Sequence, residues 1–164
     1  MHNFGPGCLA SKHIDMLSFG CDVPRGFQAA MFCLDTAGKL HELGPLDVSP
    51  VGAFDHVRYP AKGLWPVQGP PGTVLVFVCA NKQHKPRLEE VQKLLQEIEN
   101  QPQRGTAALP DPKAQVIFLL TSEEVQVVGE IPRGSSLIRD RLESLRGRLR
   151  ERFGYVWGVA LPQR

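Results

Sequence analysis

The chain has 164 residues, of which 42% are hydrophobic and 22% are charged, and its formal net charge is +2. This length suits one domain that buries roughly two-thirds of the surface of its unfolded chain. The charge is too small to predict a general affinity for nucleic acid. No apolar run approaches the roughly 20 residues that a membrane-spanning helix needs, so we expect no membrane contact and a cytoplasmic location.

Glycines and prolines interrupt the first part of the chain. Residues 1–26 contain one short apolar patch, at 14–19, between these breaks. We therefore predict an irregular N-terminal extension over residues 1–26, followed by a single α+β domain over residues 27–162.

The domain is predicted to begin with a β-hairpin. Two β-like runs surround Thr36, Ala37 and Gly38. Asp35 can bond its own backbone two residues on, and Gly38 can adopt a positive φ, which together favour a short turn. Residues 44–56 are predicted to form a proline-containing loop, followed by strand-like pieces at 56–59 and 64–67.

The central element is predicted to be a strand over residues 74–80. This run has no charged or amide side chain and follows the stiff corner Gly69-Pro70-Pro71-Gly72. A short, continuous apolar run bounded by turn signals indicates a strand that is covered on both faces. The other amphipathic elements are expected to pack against it.

Two amphipathic helices and three further strands are predicted in the second half. Apolar residues recur at helical spacing at 88, 91, 94, 95 and 98, and again at 138, 142, 145, 149 and 153. Gly154 is a suitable C-terminal cap for the second helix. Residues 114–121 and 125–128 predict a hairpin, and residues 155–161 a closing strand. The predicted fold is α+β, a mostly antiparallel sheet of about six or seven strands with two amphipathic helices packed on it.

The span from Phe27 to about Lys82 resembles an uncharacterised family of β-rich modules that are appended to bacterial caspase-like peptidases and serine/threonine kinases. The resemblance rests on a hydrophobic strand ending in Asp35, a turn through Gly38-Lys39, the pair Tyr59-Pro60, and GPPGT leading into an apolar strand. Family members commonly have glutamate after that threonine, where this chain has Val74. The resemblance implies an accessory domain that senses or binds, and it supplies no functional residues.

Catalytic and metal-binding patterns are weak. GPPGT lacks the lysine of a phosphate-binding loop, its prolines remove backbone donors, and it precedes a strand rather than a helix. Cys33 and Cys79 lie in apolar strands, which disfavours a thiolate. The spacing of Cys8, His13 and Cys21 matches no common zinc site. We assign no catalytic, cofactor-binding or metal-ligating residue, and we predict no cofactor.

The second helix carries six arginines, offset by Asp140, Glu143 and Glu151. Arginine forks bind phosphates and carboxylates, so an anionic partner is one hypothesis. The alternative is a solvated outer face in which Glu143 pairs with Arg139 or Arg146, and Glu151 with Arg148. No stacking aromatic residues interleave with the arginines, so we do not expect nucleic acid as a partner.

Three functions remain open from the sequence. The leading hypothesis is a non-enzymatic accessory or regulatory domain of a bacterial signalling or defence system, which acts by protein contact or small-ligand sensing. Its expected partner is another protein, such as a peptidase or kinase. The alternatives are a small hydrolase or thiol enzyme that uses a histidine, and an anion- or nucleic-acid-binding module that uses the arginine helix. The oligomeric state is not predicted.

Overall fold

The computed structural model describes residues 15–67, 72–99, 117–128 and 135–163, which hold eleven strands and two helices. The strands before the first helix are β1 Asp15–Leu17, β2 Phe19–Pro24, β3 Gln28–Leu34, β4 Leu40–Leu43, β5 Asp47–Val51, β6 Phe54–Tyr59, β7 Trp65–Val67 and β8 Gly72–Asn81. The remaining elements are α1 Leu88–Glu99, β9 Ile117–Leu120, β10 Val125–Val128, α2 Ser135–Phe153 and β11 Tyr155–Gln163.

The main layer is a six-stranded antiparallel sheet with the order β10-β9-β11-β8-β3-β4. Its centre is the pair β8 and β11, which run side by side from Tyr155 opposite Ala80 to Gln163 opposite Gly72. Every side chain of β8 from 74 to 80 is buried. The prediction of a central strand covered on both faces is confirmed.

Both helices pack on one face of this sheet. Alternate β8 residues Leu75, Phe77 and Cys79 join a core cluster with apolar residues of α1 and α2. The helix contributors that are buried are Val91, Ile98, Leu142, Leu145, Leu149 and Phe153. Gly154 ends α2 with φ 103°, and its N–H donates to the carbonyl of Arg150 at 2.9 Å. The predicted stripe of α1, the α2 stripe from Leu142 to Phe153 and the glycine cap are therefore confirmed, while the side chain at position 138 lies outside the described residues.

A three-stranded antiparallel sheet with the order β2-β6-β5 covers the opposite face. Phe19, Cys21 and Val23 of β2 are buried in one cluster with the second set of β8 side chains. The prediction of irregular structure over residues 1–26 is thus wrong for residues 15–17 and 19–24, which form β1 and β2. Gly20 and Pro24 lie on the outer side of β2, where they do not interrupt the buried alternation.

The predicted loop over residues 44–56 is also wrong, because it contains β5 and the beginning of β6. Its proline, Pro50, lies in β5 at the edge of the small sheet, where a residue without an N–H is tolerated. Gly52 has φ 61° and lies in the turn between the two strands, a conformation that favours glycine.

The two tryptophans contribute to packing. Trp157 is buried in the cluster between the two larger sheets. Trp65 lies in β7, which pairs with β1, and its ring packs against Phe19 and Tyr59 at centroid distances of 5.9 and 5.8 Å. Most of the predicted corner at 69–72 lies outside the described residues. The α+β class, with two helices on a six-stranded antiparallel sheet, is confirmed, and the small sheet forms a further layer.

Candidate functional site

The surroundings of the three described cysteines indicate a packing role. Cys21, Cys33 and Cys79 are all buried and none forms a disulfide. Burial, with a smaller effect from the charge of Asp35, raises the pKa of the Cys33 thiol to about 12. Burial also raises the pKa of Cys21 to about 12 and that of Cys79 well above its ordinary value. A thiol with such a pKa is almost entirely protonated at neutral pH and is a poor nucleophile.

The histidine nearest to a cysteine in the sheet register is His41. It lies directly opposite Cys33 in the β3–β4 ladder, so both side chains emerge on the same face. The His41 ring, however, bonds to the carboxylate of Asp35, with 2.8 Å between Nε2 and Oδ2. The described residues show no hydrogen bond from His41 to the Cys33 thiol. The arrangement therefore gives His41 an acidic partner without giving it an activated nucleophile.

Asp35 closes the β3–β4 turn. Its Oδ1 accepts hydrogen bonds from the backbone N–H of Ala37 at 2.9 Å and of Lys39 at 2.8 Å. Burial alone would raise the pKa of Asp35, but the hydrogen bonds from His41, Lys39 and Ala37 outweigh it, and the pKa lies below its ordinary value. The carboxylate is thus ionised and occupied in holding the predicted hairpin.

A second histidine, His56, lies on the outer side of the small sheet. Its Nδ1 is 2.9 Å from Oδ1 of Asp22, the residue opposite it in the β2–β6 ladder. The ring also covers Gly20, where an added Cβ would approach Nε2 to 2.9 Å. His56 therefore contributes to packing and to one cross-strand hydrogen bond.

The third histidine belongs to the most connected polar cluster, at the end of β8. Nε2 of His84 is 3.1 Å from Oε1 of Glu90, and the guanidinium of Arg152 donates to Oε2 of Glu90 at 2.9 Å. Glu90 also accepts the backbone N–H of Arg87 at 3.2 Å, which caps the beginning of α1. Burial would raise the pKa of Glu90, but these three hydrogen bonds dominate and lower it.

Asn81 fixes the loop that carries His84. Its side-chain oxygen accepts the backbone N–H of Gln83 at 2.7 Å, and its amide nitrogen donates to the carbonyl of Phe153 at 3.0 Å. The last residue of β8 thereby ties the loop to the end of α2. This cluster was not foreseen from the sequence, because Glu90 and Arg152 are 62 positions apart.

An open cleft of about 500 Å³ lies beside this loop. Its floor includes the buried Pro86 and the half-buried Leu88, and charged groups of both signs surround them. The charged and polar lining residues are Glu42, His84, Lys85, Arg87 and Glu89. The volume lies in the range of small-molecule sites, but the mixed charges select no single ligand class.

The arginines of α2 mainly bind the protein itself. Arg146 donates to the carbonyl of Ser122 at 2.7 Å and to the carboxylate of Glu143. The second contact is one of the two pairings predicted for Glu143. Arg139 donates to the carbonyl of Val125 at 3.4 Å. Arg148 pairs with Glu97 of α1 at 3.5 Å and not with the expected Glu151. These contacts leave less of the guanidinium surface for an external anion than the sequence pattern indicates.

Exposed apolar surface is concentrated on the β5–β6 hairpin. The large hydrophobic side chains that are exposed among the described residues are Val48 at 55%, Val51 at 57% and Phe54 at 46%. Val51 and Phe54 are directly opposite each other in the ladder. The sequence does not predict this surface, because the prolines and glycines of residues 44–56 are typical of a loop. Residues 54–59 carry no regular alternation that could have extended β6, because Phe54 is out of step with Val57 and Tyr59.

Comparison of the chain with protein-family models, with curated proteins and with solved structures gives no match. Within the described ranges, no helix is long and apolar enough to cross a membrane. The same residues contain no group of three or more histidine, cysteine or acidic side chains arranged to hold a metal ion.

Proposed function

We propose that the chain is a non-enzymatic accessory or regulatory domain of a bacterial signalling or defence system and that it acts by contact with another protein. The observation that carries this proposal is the concentration of exposed large hydrophobic side chains on one hairpin, β5–β6. Single exposed apolar residues are ordinary on protein surfaces, whereas a group of them on one element is typical of a contact site.

Two further observations support the proposal. The resemblance of residues 27–82 to modules appended to peptidases and kinases implies a protein partner of that kind. The groups that would serve a hydrolase, His41, His56 and His84, each bind a carboxylate that has a structural place, in a turn, a sheet or a helix cap.

The proposal is tested by binding between the purified chain and each peptidase or kinase that the genes flanking its own are found to encode. We expect measurable affinity in biolayer interferometry, and a loss of at least about tenfold in the double variant Val51→Ser, Phe54→Ser, since buried apolar anchors dominate such contacts. The matched control is Lys62→Ser, Lys93→Ser, which changes two exposed side chains elsewhere. Equal affinity of both double variants and the wild type would contradict a contact at this hairpin, and no binding would contradict the proposal itself.

The rival hydrolase is tested in parallel with p-nitrophenyl acetate. We expect the variants His41→Ala, His56→Ala and His84→Ala to hydrolyse this ester at the wild-type background rate. A specific loss in one variant, with unchanged folding, would favour an enzyme that uses that histidine.

Small-ligand sensing is a second candidate, and the observation that favours it is the cleft beside His84. A thermal-shift screen of amino acids, nucleotides and dicarboxylates would test it. A stabilising ligand should lose its effect in Lys85→Ala, which changes the cleft lining and leaves the Glu90 cluster intact. A stabilisation that persists in that variant would place the ligand elsewhere.

A further inference from the structure

The outer edge of β5 presents backbone groups that no strand pairs with among the described residues. The N–H of Arg25 donates to the carbonyl of Ala53 at 3.1 Å, which continues the β2–β6 ladder. Because hydrogen-bonding directions alternate along a strand, residues 55, 57 and 59 of β6 face β2, and residues 54, 56 and 58 face β5. The β5–β6 register then points the backbone groups of Val48 and Pro50 outward.

This direction agrees with the position of Pro50, which has no N–H to offer to β6. The outward edge therefore offers one donor, the N–H of Val48, and two acceptors, the carbonyls of Val48 and Pro50. An added strand could form three backbone hydrogen bonds with these groups.

On each face of the small sheet, a row of side chains runs across the strands and ends in an exposed apolar residue at the β5 edge. On the inner face, Cys21 and Val57 are each 1% exposed, but Val48, the next side chain in that row, is 55% exposed. On the outer face, the row through Pro24 and Phe54 ends at the exposed Val51. A fourth strand would cover both row ends at once.

Charge distinguishes one end of this edge from the other. Asp47 begins β5, is exposed, and makes no ion pair within the described ranges. Arg58 lies opposite it, but its guanidinium donates to the carbonyls of Ala61 and Gly63. The edge is therefore acidic at Asp47 and apolar at Val51.

We propose that the free edge of β5 binds an extended segment of a partner protein as an antiparallel fourth strand. The segment places an aromatic or large apolar side chain beside Val51, a β-branched residue beside Val48 and a lysine or arginine beside Asp47, in that order along its chain. This inference rests on the proposed function and names its contact and its class of partner. Antiparallel addition continues the pairing of the sheet and is slightly more stable per residue than parallel addition.

A segment of another protein fits this edge better than a second copy of the chain. Two five-residue edges paired with each other would bury far less than the roughly 800 Å² per partner that a stable dimer needs. A symmetric pairing centred on Val48 would also place Asp47 beside Ser49 of the other copy, where no cation meets it.

The test is an NMR titration of the full ¹⁵N-labelled chain with the capped peptide Ser-Phe-Thr-Thr-Val-Lys-Ser. We expect the Val48 amide to shift downfield and to exchange more slowly with solvent. Val48→Pro removes the outward donor without breaking a bond to β6, and it should weaken binding at least about tenfold. Val48→Thr keeps the donor and is the matched control.

Charge reversal tests the orientation. The wild type should prefer the lysine peptide over its glutamate counterpart by about fivefold, and Asp47→Lys should invert that preference, since a cross-strand ion pair contributes up to about 1 kcal/mol. An unchanged preference would contradict the assigned direction and register. The melting temperature of each variant shows whether it is folded, and the wild-type Val48 amide gives an independent readout.

The following results would overturn the inference. Equal binding of the peptide by wild type and folded Val48→Pro would show that the edge is not used. A Val48 amide already protected without peptide would mean that another part of the chain covers the edge, and protection that rises with protein concentration would mean a second copy.

If a peptidase or kinase partner binds wild type and Val48→Pro alike, the inference fails and the proposed function stands. If the peptide binds at Val48 but no protein partner is bound, the proposed function fails alone.

Discussion

Glu90 joins three parts of the chain through a single carboxylate. It receives hydrogen bonds from the His84 ring of the β8–α1 loop, from the backbone of Arg87 and from Arg152 of α2. Only 16% of its side chain is exposed, so each of these bonds replaces water that the carboxylate would otherwise bind. The residue is a structural junction next to the cleft.

We expect Glu90→Gln to lower the free energy of unfolding by about 1–2 kcal/mol at pH 7, because hydrogen bonds to a charged acceptor are stronger than those to an amide. The folded pKa of Glu90 lies below its ordinary value. The stabilisation that the ionised Glu90 gives to the folded chain is therefore fully present above the unfolded pKa of about 4.3. It is lost as the pH falls through the folded pKa. The difference between wild type and variant should shrink below about pH 4.5.

Urea unfolding across pH measures this difference, and Glu89→Gln is the control. Glu89 is the exposed neighbour in the same helical turn and should change the free energy by less than about 0.5 kcal/mol. A pH-independent gap between Glu90→Gln and wild type would refute the assigned role of its charge.

The buried thiols give a second prediction at this scale. At pH 8 the native chain should react with iodoacetamide at Cys33 and Cys79 at least about 100-fold more slowly than in urea, because burial holds their pKa values high. Site-resolved mass spectrometry follows each residue, and Cys79 serves as the deeply buried reference. Rapid native labelling of Cys33 alone would instead support a thiol enzyme that pairs it with His41.

Among the elements, α2 shows how an arginine pattern changes meaning in the fold. The sequence gives six arginines along one helix, which is compatible with an anion-binding face. In the structure the side chains reach the edge strand β10 and its preceding turn. The N–H of Val125 donates to Glu143 at 3.0 Å, and its carbonyl accepts from Arg139. These contacts depend on long-range packing, which spacing along the helix does not predict.

We expect Arg146→Ala to cost about 2–3 kcal/mol of unfolding free energy. The Arg146 side chain is 12% exposed, and its removal takes the guanidinium donor away from Oε1 of Glu143 and from the carbonyl of Ser122. Arg148→Ala is the matched control two positions further along α2. Its 36%-exposed side chain makes one ion pair, so the substitution should cost less than about 1 kcal/mol. Equal effects in thermal or urea unfolding would contradict the structural role of Arg146.

The elements with strong periodicity were predicted from sequence, and those with weak periodicity were not. The apolar run of β8 and the stripes of α1 and α2 follow directly from their burial on the main sheet. The small sheet escaped prediction because Gly20, Pro24 and Pro50 lie on its outer side or its edge. Such residues resemble loop signals although the strand tolerates them. The histidine–carboxylate pairs were also not predicted, because the folded geometry of turns and strand ladders brings the carboxylates next to the histidines.

At the scale of the whole molecule, the layered arrangement separates the faces that are buried between layers from the faces that are exposed to solvent. The helices cover one face of the six-stranded sheet, the small sheet covers the other, and the β5–β6 hairpin of the small sheet carries the exposed large hydrophobic side chains. Neither the order of the strands in the sheets nor the exposure of β5 follows from the local sequence pattern. The surface that we propose for the contact can therefore be identified only from the structure. The polar clusters stabilise the layers, whereas the β5 edge is the part that a partner could complete.

Hydrogen–deuterium exchange of the full chain, with and without the proposed peptidase or kinase partner in purified form, tests the central claim most directly. We predict that binding slows exchange in peptides that cover residues 46–54, with the Val48 amide affected most, and leaves the core strands β8 and β11 unchanged. Binding that leaves residues 46–54 unprotected, with protection confined to the loop at 81–90, would contradict a contact through β5.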